Sequence, residues 1–237
     1  MINVAISYGF SEDNRYRLKT IPTEIQLALY KYKLYKDNRD FILNTLKDNG
    51  TKVRAVHLPL DTMYTPHEKI LEMISDLFEA TGCENFVVHP NNGIDTFLSY
   101  VGRWATPKNM CVETFGWRKK KVYRSPLEII DACKKYGDVF NNVWMVIDTS
   151  HLEDVWFDHK IMPYLLRYTK VIHLSNRSKE FGQHLPFNSS KGELNLVSYV
   201  RDLKYRYKWS GDIVLEYMPE YHDRLIKNCY YVKKLLE

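Results

Sequence analysis

"VWMVIDTSH" (residues 143–151) is an apolar, β-branched run that ends abruptly in a carboxylate and, three residues later, an imidazole. Its first six residues have the composition of a strand buried on both faces. The pattern recurs along the chain. Runs of the same kind are "INVAIS" (2–7), "EIQLAL" (24–29), "VRAVHL" (53–58), "NFVVHP" (85–90), "MCVETF" (110–115), "KVIHLS" (170–175) and "DIVLEY" (212–217). Most of the gaps between these eight strands hold a helix. "DNRDFILNTLKDNG" (37–50), "TPHEKILEMISDLFEATG" (65–82) and "SPLEIIDACKKYG" (125–137) repeat apolar residues at three and four positions. They close on Asn49-Gly50, Gly82 and Gly137, and the third opens with Ser125 as N-cap and Pro126 in the first turn.

Strands alternating with helices imply an α/β fold with a parallel sheet, and eight of them in 237 residues imply one closed (β/α)8 TIM barrel. The first βα unit is compressed, because residues 8–22 leave room for little helix. No linker or low-complexity tract interrupts the chain, so residues 1–237 read as a single domain. No GxGxxG follows the first strand and no Walker sequence occurs, which removes support for a nucleotide-binding doubly wound sheet.

At 45% hydrophobic residues the chain can bury a sizeable core. Nowhere do about 18 apolar residues run together, so no membrane span is expected. "MINVAISYGF" lacks the basic region and long apolar stretch of a signal peptide. The four cysteines form no CxxC pair, and Cys111 sits in an apolar strand. Together these features lead us to expect a cytoplasmic protein without a thiolate zinc site. Net charge is a mild +5, but Lys and Arg interleave with aromatics in "LYKYKLYK" (29–36), "WRKKKVYR" (117–124) and "LKYRYKW" (203–209). Such runs can meet phosphates and stack on bases, although a solvated face has the same composition.

In a barrel of this kind the chemistry sits at the carboxyl ends of the strands. Those ends carry His57, His89, Glu113, Asp148 with His151, His173 and Glu216, and His184 lies in the loop after strand seven. A lone histidine closing a strand is usually a hydrogen-bonded rim residue, and "DTSH" is also a good turn. Six consecutive strands ending in carboxylates and imidazoles are another matter. Three unpaired inward carboxylates would repel one another, and a divalent cation removes that cost. Mixed His and carboxylate ligation without thiolate suits Zn, Mn or Fe better than Ca.

This ordered set resembles the xylose-isomerase-like metal-dependent barrels, a superfamily that includes endonuclease IV (AP endonuclease family 2) and sugar phosphate isomerases and epimerases. The resemblance runs from "INVAIS" to "VLEYMPEY". "VIDTSH" is similar to the family's Asp-Thr-x-His strand end, "CVETF" to its central Glu, "VIHLSN" to its His strand and "QHLPFNSSKGEL" to the His-containing loop that follows. On the endonuclease template, His57, His89 and Glu113 would hold one ion, and Glu113, Asp148, His173 and Glu216 a second. His151 and His184 would hold a third with an Asp just before His184. Gly182 and Gln183 stand in the slots for that Asp, so the third site would be weaker, completed by water, or absent.

The resemblance leads us to expect a zinc-dependent phosphodiesterase with two or three ions, cleaving DNA at abasic or damaged sites with a metal-activated hydroxide. Glu113, Asp148 and Glu216 would carry the catalysis. Lys31, Lys33, Tyr64, Arg118, Lys119, Arg177 and Lys179 would meet nucleic acid or phosphate. The alternative is a sugar or sugar-phosphate isomerase or epimerase, using one Mn-like ion (Mg or Fe also suit the ligands) and Glu113/Glu216 as acid and base. A barrel that binds nucleic acid or a protein without turnover is the non-enzymatic reading.

Overall fold

The computed structural model describes residues 1–21, 23–101, 108–115, 122–137 and 142–237. Its elements follow the expected alternation. In order they are β1 (Ile2–Gly9), β2 (Ile25–Ala28), α1 (Tyr32–Asn49), β3 (Val53–His57), α2 (His67–Thr81), β4 (Asn85–Val88), α3 (Ile94–Val101), β5 (Asn109–Glu113) and α4 (Pro126–Gly137). There follow β6 (Val143–Asp148), α5 (Met162–Leu166), β7 (Thr169–Leu174), β8 (Asn176–Ser178), β9 (Gly182–Leu185), α6 (Leu196–Arg201), β10 (Gly211–Leu215) and α7 (Leu225–Leu235). Eight strands close into a barrel in the order β1-β10-β7-β6-β5-β4-β3-β2, each pairing parallel with its neighbours. The first unit is indeed short: among the described residues between β1 and β2, the helical element is a single 3-10 turn, Arg15–Thr20. Among the described residues no helix is long and apolar enough to cross a membrane.

Period-two alternation sorts the barrel interior into three layers. Ala5, Ala55, Val87, Cys111, Val146, Val171 and Val214, one from each strand but β2, form a fully buried cluster at the waist. Two residues further along, the same seven strands reach Ser7, His57, His89, Glu113, Asp148, His173 and Glu216. Two residues back lie Asn3, Val53, Asn85, Asn109, Trp144, Thr169 and Asp212. The lower layer is largely polar, and its carboxylate and amides are paired, while the Trp144 Nε1–H is buried without a partner. Asp212 accepts hydrogen bonds from the side-chain amides of Asn3 and Asn85, both at 2.8 Å, and Asn109 donates to Asn85 at 2.9 Å.

Two elements depart from the sequence expectation. Helix α1 starts at Tyr32 rather than near residue 37, so most of "YKYKLYK" is helix and not a loop. No local side chain caps it; the Tyr32 N–H is taken by Asp61 Oδ1 at 3.0 Å, from the loop after β3. A cap that far away in sequence leaves no local signal. The helix ends as expected, on Gly50 in the left-handed region, as α2 does on Gly82. The second departure is the β8–β9 antiparallel hairpin, which carries His184 where a plain loop was expected. Strands of three and four residues are too short to register a period.

The lower layer gives a stability prediction. Asp212→Ala takes the acceptor from two half-buried amides and should lower the free energy of unfolding by about 0.5–1.5 kcal/mol, read from the urea midpoint. Metal binding at the other end of the barrel should be unchanged.

Candidate metal centre

The upper layer brings six of the eight expected ligand residues to one mouth, and the loop after β6 and the β8–β9 hairpin add His151 and His184. Three sets have ligand atoms within 4.8 Å of one another: His57, His89 and Glu113; Glu113, Asp148, His173 and Glu216; and Asp148, His151 and His184. In the first set, His57 Nδ1–H donates to the Leu58 carbonyl at 2.9 Å, which turns its Nε2 lone pair inward. That Nε2 lies 3.1 Å from His89 Nε2 and 3.2 Å from Glu113 Oε2, and His89 Nε2 is 3.1 Å from the same oxygen. Tetrahedral ligands about 2.0–2.1 Å from a zinc ion stand about 3.3 Å apart, so this triangle is close to one face of such a site.

The second set is built more tightly. Gln26, an inward polar side chain on β2, accepts from His173 Nε2–H at 2.9 Å and leaves Nδ1 as the lone-pair nitrogen. His173 Nδ1 lies 2.8 Å from Glu216 Oε2 and 3.5 Å from Glu113 Oε1. Asp148 Oδ1 is held by the Ser150 N–H and hydroxyl, both at 2.8 Å, which frees Oδ2. Asp148 Oδ2, His173 Nδ1 and Glu216 Oε2 are all buried without a hydrogen-bond partner. Three of the four residues in this set therefore present an orphaned donor atom to one point. A divalent cation satisfies all three at once, and the residues fit it.

The third set is looser. His151 Nδ1 is 3.3 Å from Asp148 Oδ2 and 3.2 Å from the Thr114 carbonyl, and its Nε2 is buried without a partner. His184 Nδ1 lies 3.9 Å from Asp148 Oδ2 and 3.4 Å from Ser175 Oγ. The sequence placed the missing carboxylate of this set beside His184; in the fold, Asp148 supplies one from β6. His184 itself sits at φ 56°, a left-handed conformation that a non-glycine residue adopts at a cost.

The electrostatics follow from burial among opposite charges. Burial alone would raise the Glu113 carboxyl, but His89, His173 and His57 outweigh it and hold it well below its ordinary value. Burial likewise works against Glu216, yet His173 and His184 bring it down to about 2. Burial would lower His173, and Glu216 with Glu113 instead hold it well above its ordinary value. The same contest leaves His57 raised, with Glu113 prevailing over burial.

The residues expected to meet phosphate fare differently. Lys31 and Lys179 are exposed, and Tyr64 is 77% exposed in the 3-10 turn after β3. Lys33 is paired with Asp37 one turn along α1, and Arg177 Nη2 with Asp154 at 2.6 Å. Arg118 and Lys119 lie outside the described residues. Sequence reasoning missed Gln26, Thr114 and Ser150, which orient the ligands. The first had a legible signal, a lone Gln in the apolar strand "EIQLAL".

Without metal, the His173 contribution to stability is full below its unfolded pKa of about 6.5 and is lost as pH rises through the raised folded value. The Glu216 contribution is full above its unfolded value near 4.5 and is lost as pH falls toward about 2. A cation must displace the His173 proton. Affinity of metal-free protein for Zn or Mn should therefore climb with pH through the neutral range, and binding should release a proton. Calorimetry in buffers of different ionisation enthalpy reads that release, and His173→Ala should abolish it together with most of the affinity.

No family model and no curated protein sequence matches the chain. Solved structures do. A 3-keto-D-glucoside 4-epimerase from E. coli superposes with a TM-score of 0.72 at 11% identity, covering 99% of this chain and 100% of that one. An AP endonuclease, family 2, from Brucella melitensis gives 0.65 at 14%, covering 91% and 92%. A D-psicose 3-epimerase from Clostridium cellulolyticum H10, solved with D-tagatose, gives 0.64 at 12%, covering 99% of each. Sugar epimerases outnumber the endonuclease among these similar structures. At such identities the likeness is one of fold: the chain is a closed (β/α)8 barrel, as these proteins are.

Proposed function

We propose that this protein is a divalent-metal-dependent isomerase or epimerase acting on a carbohydrate. The observation that carries the reading is the second ligand set, where Glu113 and Glu216 flank His173 with three orphaned ligand atoms between them. A bound cation there, held by Glu113, Asp148, His173 and Glu216, would polarise the carbonyl and hydroxyl oxygens of a sugar. Glu113 closes β5 and Glu216 follows β10, three steps apart around an eight-strand ring, and their carboxylates converge to within 4.8 Å beside the place a cation would take. One of these ionised carboxylates would take the proton from the carbon beside the carbonyl, and the carboxylic acid so formed would return it to the neighbouring carbon. Gln26 and Ser150 hold the ligands in place. The numerous epimerases of like fold support the same reading.

Phosphodiester cleavage at abasic or damaged DNA is the second reading, and one observation favours it. The other two ligand sets share Glu113 and Asp148 with the central one, which is the arrangement a site of two or three ions needs. Against it, two of the side chains assigned to phosphate, Lys33 and Arg177, already pair with carboxylates.

Elemental analysis of natively purified protein separates the two. The isomerase reading expects about one ion per chain, deuterium incorporation from heavy water into a ketose, and an intact abasic-site duplex. Two or three ions together with nicking of that duplex would overturn it. Glu216→Gln should lower kcat by about 10²–10⁴-fold while the protein stays folded.

A further inference from the structure

Tyr30 stands two residues past the end of β2, and its phenol ring is drawn back over β1. The contact is with Gly9, the last residue of β1, which pairs with Ala28 of β2. A Cβ at position 9 would come within 2.8 Å of Tyr30 Cε2, 3.0 Å of its hydroxyl and 3.3 Å of Cζ. A side chain at 9 and the ring in this place exclude each other. The backbone on either side is fixed as well, since the Tyr30 carbonyl accepts from the Leu60 N–H at 3.2 Å. The ring therefore lies over the end of β1, whose other neighbour in the barrel, β10, leads into Glu216.

A tyrosine held for packing alone would bury its ring and satisfy its hydroxyl. Tyr30 does neither: it is 45% exposed, and its hydroxyl makes no hydrogen bond among the described residues. Burial of the hydroxyl end and, after it, the Glu216 carboxylate push the phenol up to about 12, so the group stays a neutral O–H at physiological pH. Tyr30 is partly exposed as a residue, and its hydroxyl is a donor with no acceptor among the described residues, within electrostatic reach of a candidate ligand; that is an arrangement for something that arrives from solution.

We propose that Tyr30 is a substrate-contacting residue whose hydroxyl, brought over Gly9 toward Glu216, donates a hydrogen bond to an oxygen of the bound sugar. This role rests on the carbohydrate reading above. Gly9 serves it by leaving the space the ring needs. The ring itself forms one wall of the pocket, against which the C–H face of a sugar packs.

The test uses the Co-loaded full-length protein, its visible absorption titrated with D-fructose as a ketose probe and xylitol as a polyol, alongside cobalt content. Tyr30→Phe should bind cobalt as the wild type does and weaken the sugar response about tenfold, the size of one hydrogen bond. Gly9→Ala keeps the hydroxyl but displaces the ring, and should weaken it equally. A Tyr30→Phe protein that responds to sugar like the wild type would overturn the role and leave the carbohydrate reading standing. A wild-type protein whose cobalt spectrum responds to neither sugar would overturn the carbohydrate reading and this role with it.

Discussion

The Glu113 carboxylate is the hub of the upper layer. One oxygen lies 3.2 and 3.1 Å from the imidazoles of His57 and His89, and the other 3.5 and 3.8 Å from those of His173 and His151. A fully buried carboxylate is tolerated only among groups that compensate its charge. Protons on the His57 and His173 rings do this in the bare protein, and a bound cation would do it as well. Both solutions use the same nitrogen and oxygen atoms, so proton and metal compete for one place. The neighbouring hydrogen bonds, from Gln26 to His173 and from Leu58 to His57, decide which ring atom faces the contest.

What lets so many polar groups collect at one end is the waist beneath them. Its seven residues are Ala, Val and Cys, all without exposure, and they form a dry plug that is narrow in side-chain volume. Bulky residues in that layer would push the ligands outward, and polar ones would let water reach them from below. The paired amides of Asn3, Asn85 and Asn109 around Asp212 close the other end. Among the described residues, the mouth is where buried unpaired atoms from several strands converge, on Asp148, His173 and Glu216.

Much of this was legible in the chain. Each barrel strand announced itself by composition, and six of the eight candidate ligands by ending such a run, as "VVH", "CVE" and "VID" do. The α-helical turn under "YKYKLYK" was hidden because its cap, Asp61, comes from another loop. The β8–β9 hairpin was hidden because it is too short to be periodic. The partnership of Arg177 with Asp154, and of Tyr30 with Gly9, depends on which loops meet over the barrel mouth. Local pattern encodes direction along a strand; it does not encode what a loop residue will meet across space.

The three layers also bear on how such a protein can change over generations. Ligand, waist and floor residues alternate with outward-facing ones on the same strands, two positions apart. Gain or loss of a single residue inside a barrel strand would turn its ligand outward and swap its waist residue for one from the helix-facing side. Folding and chemistry would fail in the same event. Lengthening the β8–β9 hairpin by the same one residue leaves every barrel strand in phase. Selection can therefore explore new substrates through insertions at the mouth, while the strands themselves are open only to substitution.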